Sequence, residues 1–248
     1  MPGIDWLTTK PIAHRGLHDT AAGVIENTAS AVEAAIARGY GIEVDLQISA
    51  DGEAMVHHDD ALGRLTQGSG ALAEMTANEI QAAKLKATSD RIMSLPQLCA
   101  LVAGRATLIL ELKSRFDGDM RLAERTAQVL QSYAGPVAAM SFDPALVAAL
   151  RTIAPGLPRG IVAEYDYAHH EWDRMAKAEK WRLAYLLHFP RTRPHFVAYA
   201  SRDLPALAPL LARWLLGLPL LTWTIRSQRE RHAARFYANQ IIFEGFRP

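Results

Sequence analysis

Glu43 and Asp45 stand two residues apart in the segment GIEVDLQIS, a spacing that places both carboxylates on one face of a β-strand. Glu111 and Lys113 share a face in the same way in LILELKS. Carboxylates at the ends of buried strands are costly unless a cation neutralises them. Oxygen donors suit one hard divalent ion, Mg²⁺ or Ca²⁺ with Mn²⁺ as a third candidate. Glu43, Asp45 and Glu111 are therefore predicted metal ligands. Alternatively, Glu111 and Lys113 could simply form an ion pair with each other.

Two histidine-containing segments offer proton carriers near the same strands. His14 and Arg15 follow a short apolar run in IAHRG, and His57 and His58 follow another in MVHHDDALGR. Neighbouring residues on a strand face opposite ways, so we expect at most one of the adjacent pair to enter a site directly. Imidazoles, a guanidinium, an ammonium and a divalent ion together fit phosphoryl transfer, whereas each residue alone is also typical of a solvated surface.

The elements that must position these residues alternate along the chain. Short apolar segments are separated by Ala-, Leu- and Arg-rich segments with helical spacing, and Asn27 is a candidate helix N-cap. Alternation of this kind predicts an α/β protein with a parallel sheet, and about eight units predict a (β/α)8 barrel forming a single domain over residues 1–248. Residues 59–95 fit no simple unit and are predicted to form a small insertion near the barrel mouth. The predicted strands are PIAHRG, GIEVDLQIS, ATLILELKS, GPVAAMSFD, RGIVAEYD, FVAYAS, PLLTWTI and QIIFEG.

Composition limits the partners. The formal net charge is +1 and half of the residues are hydrophobic, so no strong overall field favours a nucleic acid or a membrane surface. Any anionic ligand must be held locally. The single cysteine, Cys99, excludes an intramolecular disulfide, and the N-terminal residues lack the pattern of a secretory signal. We therefore expect a cytoplasmic protein.

One segment has the length of a membrane span. Residues 204–225, LPALAPLLARWLLGLPLLTWTI, contain three prolines and Arg213, and Gly217 followed by Leu218 and Pro219 is typical of a turn. We expect a core helix followed by a buried strand, with no transmembrane segment.

These motifs resemble the glycerophosphodiester phosphodiesterase family, whose barrels are similar to those of the phosphatidylinositol-specific phospholipases C. A His-Arg-Gly, a Glu-Asn-Thr, a Glu-x-Asp, a His-Asp and a Glu-x-Lys occur in the family's order over roughly residues 10–115. SFDPALVAALRTIAP and LTWTI also look like family segments. The resemblance implies a (β/α)8 barrel that hydrolyses glycerophosphodiesters to glycerol 3-phosphate and an alcohol, usually with one divalent metal.

The resemblance also implies roles for individual residues. His14 and His58 would be the catalytic acid and base, and Arg15 and Lys113 would hold the phosphate. Which histidine is the acid, and whether water or a substrate hydroxyl is the nucleophile, stay open. Trp223 would line the glycerol pocket, or alternatively is a core aromatic. The metal ligands would be Glu43, Asp45 and Glu111, with Glu26 either in a supporting position or as a further metal ligand.

The second half of the chain departs from the family pattern. Arg226 stands where the family often has asparagine, and NQIIFEGFRP lacks the usual Asp-Gly before and Thr-Asp after its apolar pair. Residues 164–202 match no family segment. Three alternatives to a small glycerophosphodiester substrate follow: a lysophospholipid or other phosphodiester at the same site, an inactive phosphodiester-binding barrel, or an amidohydrolase, which the missing His-x-His motif disfavours.

Overall fold

Eight parallel strands close into a barrel in the computed structural model, which describes residues 3–169, 172–173 and 175–248. The strands are β1 (Ile12–Ala13), β2 (Gly41–Ile48), β3 (Ala54–Val56), β4 (Ala61–Leu62), β5 (Gly70–Ala71), β6 (Leu108–Leu112), β7 (Val137–Ser141), β8 (Arg159–Ala163), β9 (Phe196–Ala200), β10 (Leu220–Ile225) and β11 (Gln240–Phe243). The barrel order is β1, β11, β10, β9, β8, β7, β6 and β2, and pairing of β2 with β1 closes the ring. All eight predicted strand segments form barrel strands, and the predicted (β/α)8 fold is confirmed.

Helices lie between the strands, and most of them pack on the outside of the barrel. They are α1 (Ala29–Ala37), α2 (Ala77–Ala82), α3 (Leu95–Val102), α4 (Arg121–Leu130), α5 (Pro144–Ile153), α6 (Lys177–Ala184), α7 (Phe189–Thr192), α8 (Leu207–Leu216) and α9 (Gln228–Ala234). The prediction that Asn27 caps the first helix is wrong. The hydroxyl of Thr28 accepts the N–H of Ala31 instead, and Asn27 adopts a positive φ of 60° that turns its side chain to another task.

The alternation of strand residues separates two apolar layers. Ile42, Val44 and Leu46 of β2 pack outward in the cluster between the sheet and the helices. A second cluster, which includes Ile109, Met140 and other residues of β1 and β6–β11, fills the barrel interior. Because β2 alternates, Glu43 and Asp45 point inward with this second cluster, opposite Ile109 and Glu111 of β6.

The structure shows how the two unusual segments, residues 59–95 and 204–225, fold. Within 59–95, β4 pairs antiparallel with β5 and α2 packs on a small apolar cluster, so this insertion has a core of its own. Within 204–225, α8 ends at Leu216, Gly217 takes a left-handed φ of 66°, and β10 begins at Leu220. The predicted helix and strand are confirmed. Among the residues described, no helix has the length and hydropathy needed to cross a bilayer.

Candidate active site

Three carboxylates meet at the carboxyl ends of β2 and β6. One oxygen from each of Glu43, Asp45 and Glu111 lies within 4.8 Å of the others, and all three side chains are buried. The register that places Asp45 directly beside Glu111 accounts for this convergence. The Lys113 ammonium donates to Asp45 Oδ1 at 2.8 Å and to Glu111 Oε1 at 2.5 Å.

The charges in this cluster are only partly balanced. Burial raises the pKa of Glu43 well above its usual range, and Asp45 and Glu111 raise it further. Asp45 is different: burial would raise its pKa, but Lys113 and Arg15 hold it far below its ordinary value. Glu43 Oε1 is buried without a hydrogen-bond partner among the residues described. An unpartnered buried carboxylate oxygen beside two further carboxylates fits a hard divalent cation, which would neutralise the charge that burial makes costly.

Arg15 lies on the turn that leaves β1. Its Nη1 donates to Glu26 Oε1 at 2.8 Å, and its Nε lies 3.2 Å from Asp45 Oδ2. The turn requires Gly16, which has φ +77°, and a Cβ there would lie 2.8 Å from the Cβ of Ala31. The close approach of α1 therefore holds the Arg15 guanidinium against the acidic cluster.

Asn27 also contacts the Asp45 carboxylate. Its Nδ2 donates to Asp45 Oδ2 at 2.8 Å, and its Oδ1 accepts the backbone N–H of Asp45 at 3.2 Å. Both contacts are buried and leave Asp45 little rotational freedom. This role was not predicted from the sequence, where the only signal was an asparagine, a residue that tolerates positive φ, within the Glu-Asn-Thr motif.

His14 is held by a carboxylate from the far end of the chain. Its Nδ1 lies 2.5 Å from Glu244 Oε2, and its Nε2 lies 4.0 Å from Glu43 Oε2. Arg226 donates to Glu244 Oε1 from Nε at 2.8 Å, with Nη2 also 2.8 Å from that oxygen. A carboxylate on Nδ1 selects the tautomer with the proton on that nitrogen, so Nε2 is left to exchange a proton. Burial lowers the pKa of His14, and the bond to Glu244 opposes that effect.

His58 has the same kind of support from nearby residues. Its Nδ1 lies 2.8 Å from Asp59 Oδ1, and Arg64 donates to both Asp59 oxygens at 2.7 and 3.0 Å. Arg64 also donates to Glu26, which joins this group to Arg15. His57 is more buried, and its Nε2 has no hydrogen-bond partner among the residues described.

An aromatic row begins at Trp223 of β10 and continues through residues that follow β7, β8 and β6. The Trp223 ring packs edge-on against Phe142 at 5.6 Å between centroids, and Phe142 contacts Trp172 at 5.2 Å. Trp172 then meets Phe116 at 5.9 Å, and its Nε1 donates to Glu164 at 2.6 Å. Trp223 is thus one end of an apolar wall that contains residues from the unmatched segment 164–202.

The arrangement can bind an anion between fixed cations and move protons on either side of it. The structure brings together six of the predicted site residues through direct contacts: His14, Arg15, Glu43, Asp45, Glu111 and Lys113. His58 is linked to them through Asp59, Arg64 and Glu26. Trp223 belongs to the aromatic row rather than to this polar network.

Glu244 is the main functional candidate that the sequence analysis missed. It directly follows β11, whereas the predicted ligands lie within β2 and β6. The signal was present, since an acid after the apolar run IIF should reach the carboxyl end of the barrel. Although the usual Thr-Asp after the apolar pair is missing, Glu244 supplies a carboxylate there.

A sequence model of the Glycerophosphoryl diester phosphodiesterase family matches residues 14–240. The glycerophosphodiester phosphodiesterase of Caldanaerobacter subterraneus subsp. tengcongensis is 28% identical over 189 residues, which cover 71% of this chain and 75% of the relative.

Solved structures share the fold. A phosphodiesterase of Oleispira antarctica, determined in complex with the product sn-glycerol-3-phosphate, superposes with a TM-score of 0.77 at 19% identity, covering 96% of this chain and 94% of the other. The glycerophosphodiester phosphodiesterase of Thermotoga maritima superposes with a TM-score of 0.70 at 21% identity and covers 94% and 92% of the two chains.

Proposed function

The chain belongs to the Glycerophosphoryl diester phosphodiesterase family and is a phosphodiesterase, and on that premise we propose that it releases glycerol 3-phosphate from glycerophosphodiesters in a reaction that needs one divalent cation. The observation that carries the proposal is the buried triad of Glu43, Asp45 and Glu111 with cationic side chains against it. The single domain over residues 1–248, with its insertion at 59–95, is part of the same proposal.

Glu43, Asp45 and Glu111 would hold the cation. Mg²⁺ and Ca²⁺ are the first candidates and Mn²⁺ the third, because all three accept carboxylate oxygens. When bound, the ion would supply electrostatic stabilisation to the phosphodiester oxygens.

Arg15 and Lys113 bind the phosphate in this mechanism. Both groups are fixed by Asp45, so they are oriented before the substrate arrives and lose little freedom on binding it. The Arg15 guanidinium matches two phosphate oxygens in its planar fork, whereas Lys113 contributes a point charge.

The two histidines move the protons. Each has its Nδ1 on a carboxylate, so each exchanges its proton at Nε2. One accepts a proton from the nucleophile, and the other donates a proton to the oxygen of the leaving alcohol. The carboxylates of Glu244 and Asp59 stabilise the imidazolium form that each histidine takes in turn.

The test is the release of glycerol 3-phosphate from glycerophosphocholine by purified protein, with EDTA and then with Mg²⁺, Ca²⁺ or Mn²⁺ restored. We expect EDTA to abolish release and one ion to restore it. Glu43→Gln should lose the restored activity because it keeps the shape but removes the charge. Glu33→Gln, an exposed carboxylate paired with Arg105, is the matched control and should behave as wild type. Folded protein that releases nothing with any of the three ions would contradict the proposal.

The aromatic row supports a second candidate substrate class. A lysophospholipid has the same phosphodiester together with an acyl chain, and the apolar wall from Trp223 through Phe142 and Trp172 to Phe116 is suited to such a chain. Rates on glycerophosphocholine and lysophosphatidylcholine decide between the two classes. Phe142→Ser should lower only the rate on lysophosphatidylcholine if the wall holds an acyl chain.

A further inference from the structure

Helix α8 is apolar on opposite sides. Pro209, Leu210 and Ala212 face the barrel and are buried. On the other side lies the apolar stripe, defined here as Leu207, Leu211, Trp214 and Leu215, whose side chains are 69, 40, 62 and 74% exposed. A surface helix normally carries polar residues on its outer side, and a helix that is apolar all round is normally covered. The outer side of α8 therefore requires an apolar environment that the folded chain does not provide.

The apolar stripe belongs to a wider region of exposed apolar side chains. Among the residues described, ten of the eleven exposed large hydrophobic side chains lie between Tyr165 and Phe236, and only Ile153 lies elsewhere. These ten come from the segments that follow the adjacent strands β8, β9 and β10. Single exposed apolar residues are ordinary, whereas a concentration on one sector of a barrel indicates an interaction surface.

The same sector carries a net positive charge, although the chain as a whole is nearly neutral. Residues 165–236 contain twelve lysines and arginines but six aspartates and glutamates, against 27 and 26 in the whole chain. The basic face, defined here as Arg229, Arg231 and Arg235, is exposed on and after α9. It adjoins the apolar residues directly, since the Arg235 guanidinium lies 4.8 Å from the centre of the exposed Phe236 ring. Arg213 of α8 donates to the backbone oxygen of Tyr237 at 2.5 Å, which ties α8 to this region.

We infer that this sector docks on an anionic phospholipid bilayer, with the apolar stripe in the boundary between headgroups and acyl chains and the basic face on lipid phosphates. Leucines and a tryptophan bordered by arginines are the composition of interfacial helices. A nucleic acid would use the arginines but gives the four-residue stripe, three members of which are leucines, nothing to pack against. A second copy of the chain would bring two positively charged sectors together. The inference does not depend on the proposed catalytic function.

The test is cosedimentation of the full chain with two kinds of vesicle, one of phosphatidylcholine alone and one in which a third of the lipid is phosphatidylglycerol. We expect binding to the anionic vesicles that weakens as salt is added. The variant L211S/W214S/L215S should reduce binding about tenfold or more, because it removes apolar area from the inserted side. R229Q/R231Q/R235Q should reduce it by about the same factor, because it removes charge at the surface.

Matched controls separate surface docking from folding and catalysis. Ile153→Ser removes an exposed apolar side chain outside the sector, and R38Q/R91Q/R105Q removes three exposed arginines outside it. Both controls should bind vesicles as wild type does, and all variants should keep wild-type turnover of soluble glycerophosphocholine. Wild type that ignores anionic vesicles would overturn the inference. So would a dimer in solution that L211S/W214S/L215S dissociates without changing vesicle binding, or binding to single-stranded DNA that exceeds binding to vesicles.

Discussion

Two histidines of the candidate active site are each supported by a carboxylate and an arginine, but the two arrangements are built differently. His58, Asp59 and Arg64 lie within one short segment, and their contacts form locally. His14 and Glu244 are 230 residues apart, and Arg226 reaches Glu244 from the end of a third strand. The His58 side chain is 28% exposed and that of His14 is 15% exposed. The His58 arrangement is more exposed to solvent, whereas the His14 arrangement depends on closure of the barrel.

The group around His58 is specified by one sequence motif, whereas the group around His14 is assembled only by the fold. The segment HHDDALGR contains a complete histidine–carboxylate–arginine group, so any fold that preserves the loop preserves the group. The group around His14 exists only when β1, β10 and β11 lie side by side. Because its contacts are more buried, each charge in it is less screened by water.

The largest expected effect comes from removing either imidazole. We expect His14→Ala and His58→Ala each to lower kcat by about 10³-fold, the usual contribution of a positioned acid or base. Single-turnover release of glycerol 3-phosphate measures this, with circular dichroism to confirm folding. If His58→Ala keeps activity while His57→Ala loses it, His57 is the second proton carrier and the comparison must be made with His57 instead.

Substitution of the two carboxylates should affect the His14 arrangement more than the His58 arrangement. Glu244→Gln should lower kcat by about 10- to 100-fold, and Asp59→Asn by about tenfold, because the charge on Glu244 supports a more buried imidazole. The measurement is kcat and KM for both variants. A loss confined to KM would show that the carboxylates act on substrate binding and do not position the histidines.

The two arginines should show smaller effects, with Arg64 the larger of the two, which reverses the order expected for the carboxylates. Arg64→Gln should lower the free energy of unfolding by about 1–2 kcal/mol, because Glu26 and Asp59 both lose a partner. Arg226→Gln should cost less than about 1 kcal/mol, since its side chain is 61% exposed. Urea unfolding measures both values. Equal losses in the free energy of unfolding would mean that side-chain exposure does not determine how much these contacts contribute to stability.

The last effect concerns the dependence of stability on acid. Burial would raise the pKa of Asp59, but Arg64 and His58 lower it to about 2 from the ordinary 3.8. A carboxylate with a depressed pKa in the folded state contributes stability above its unfolded pKa and loses it as pH falls through the folded pKa. The stability difference between wild type and Asp59→Asn should therefore include about 2 kcal/mol at pH 6 that disappears near pH 2.

Urea unfolding at several pH values tests this window. The pKa of Glu244 is held further below its ordinary range by His14, His18 and Arg226, against burial that would raise it. The corresponding loss for Glu244→Gln should thus need more acid than the loss for Asp59→Asn. A stability difference that grows below pH 4 for Asp59→Asn would contradict the assignment.

The fold could be predicted because strand and helix patterns are local. Each of the eight strands is an apolar run between helical segments, and the paired positions of Glu43 and Asp45 follow from the two-residue repeat of a strand. The triad followed from one further assumption, that neighbouring parallel strands end at the same face.

The rest could not be predicted because it depends on which distant residues become neighbours. Asn27 was interpreted as a cap because its position before a helix is typical of one, and only the close approach to Asp45 shows otherwise. The net charge likewise concealed the positive sector, since a sum over the chain carries no information about location. Arg226 was noted as a departure, but its partner Glu244 depends on the pairing of β10 with β11.

Closure of the barrel by the two residues of β1 has a consequence for synthesis of the chain. As the protein emerges from the ribosome, β2 through β10 can pair in order, but β1 stays without one neighbour until β11 has been made. Until then the nascent sheet has open edges that can pair with other chains. These edges therefore stay open until β11 has emerged from the ribosome and paired with β1, when His14 first acquires its carboxylate.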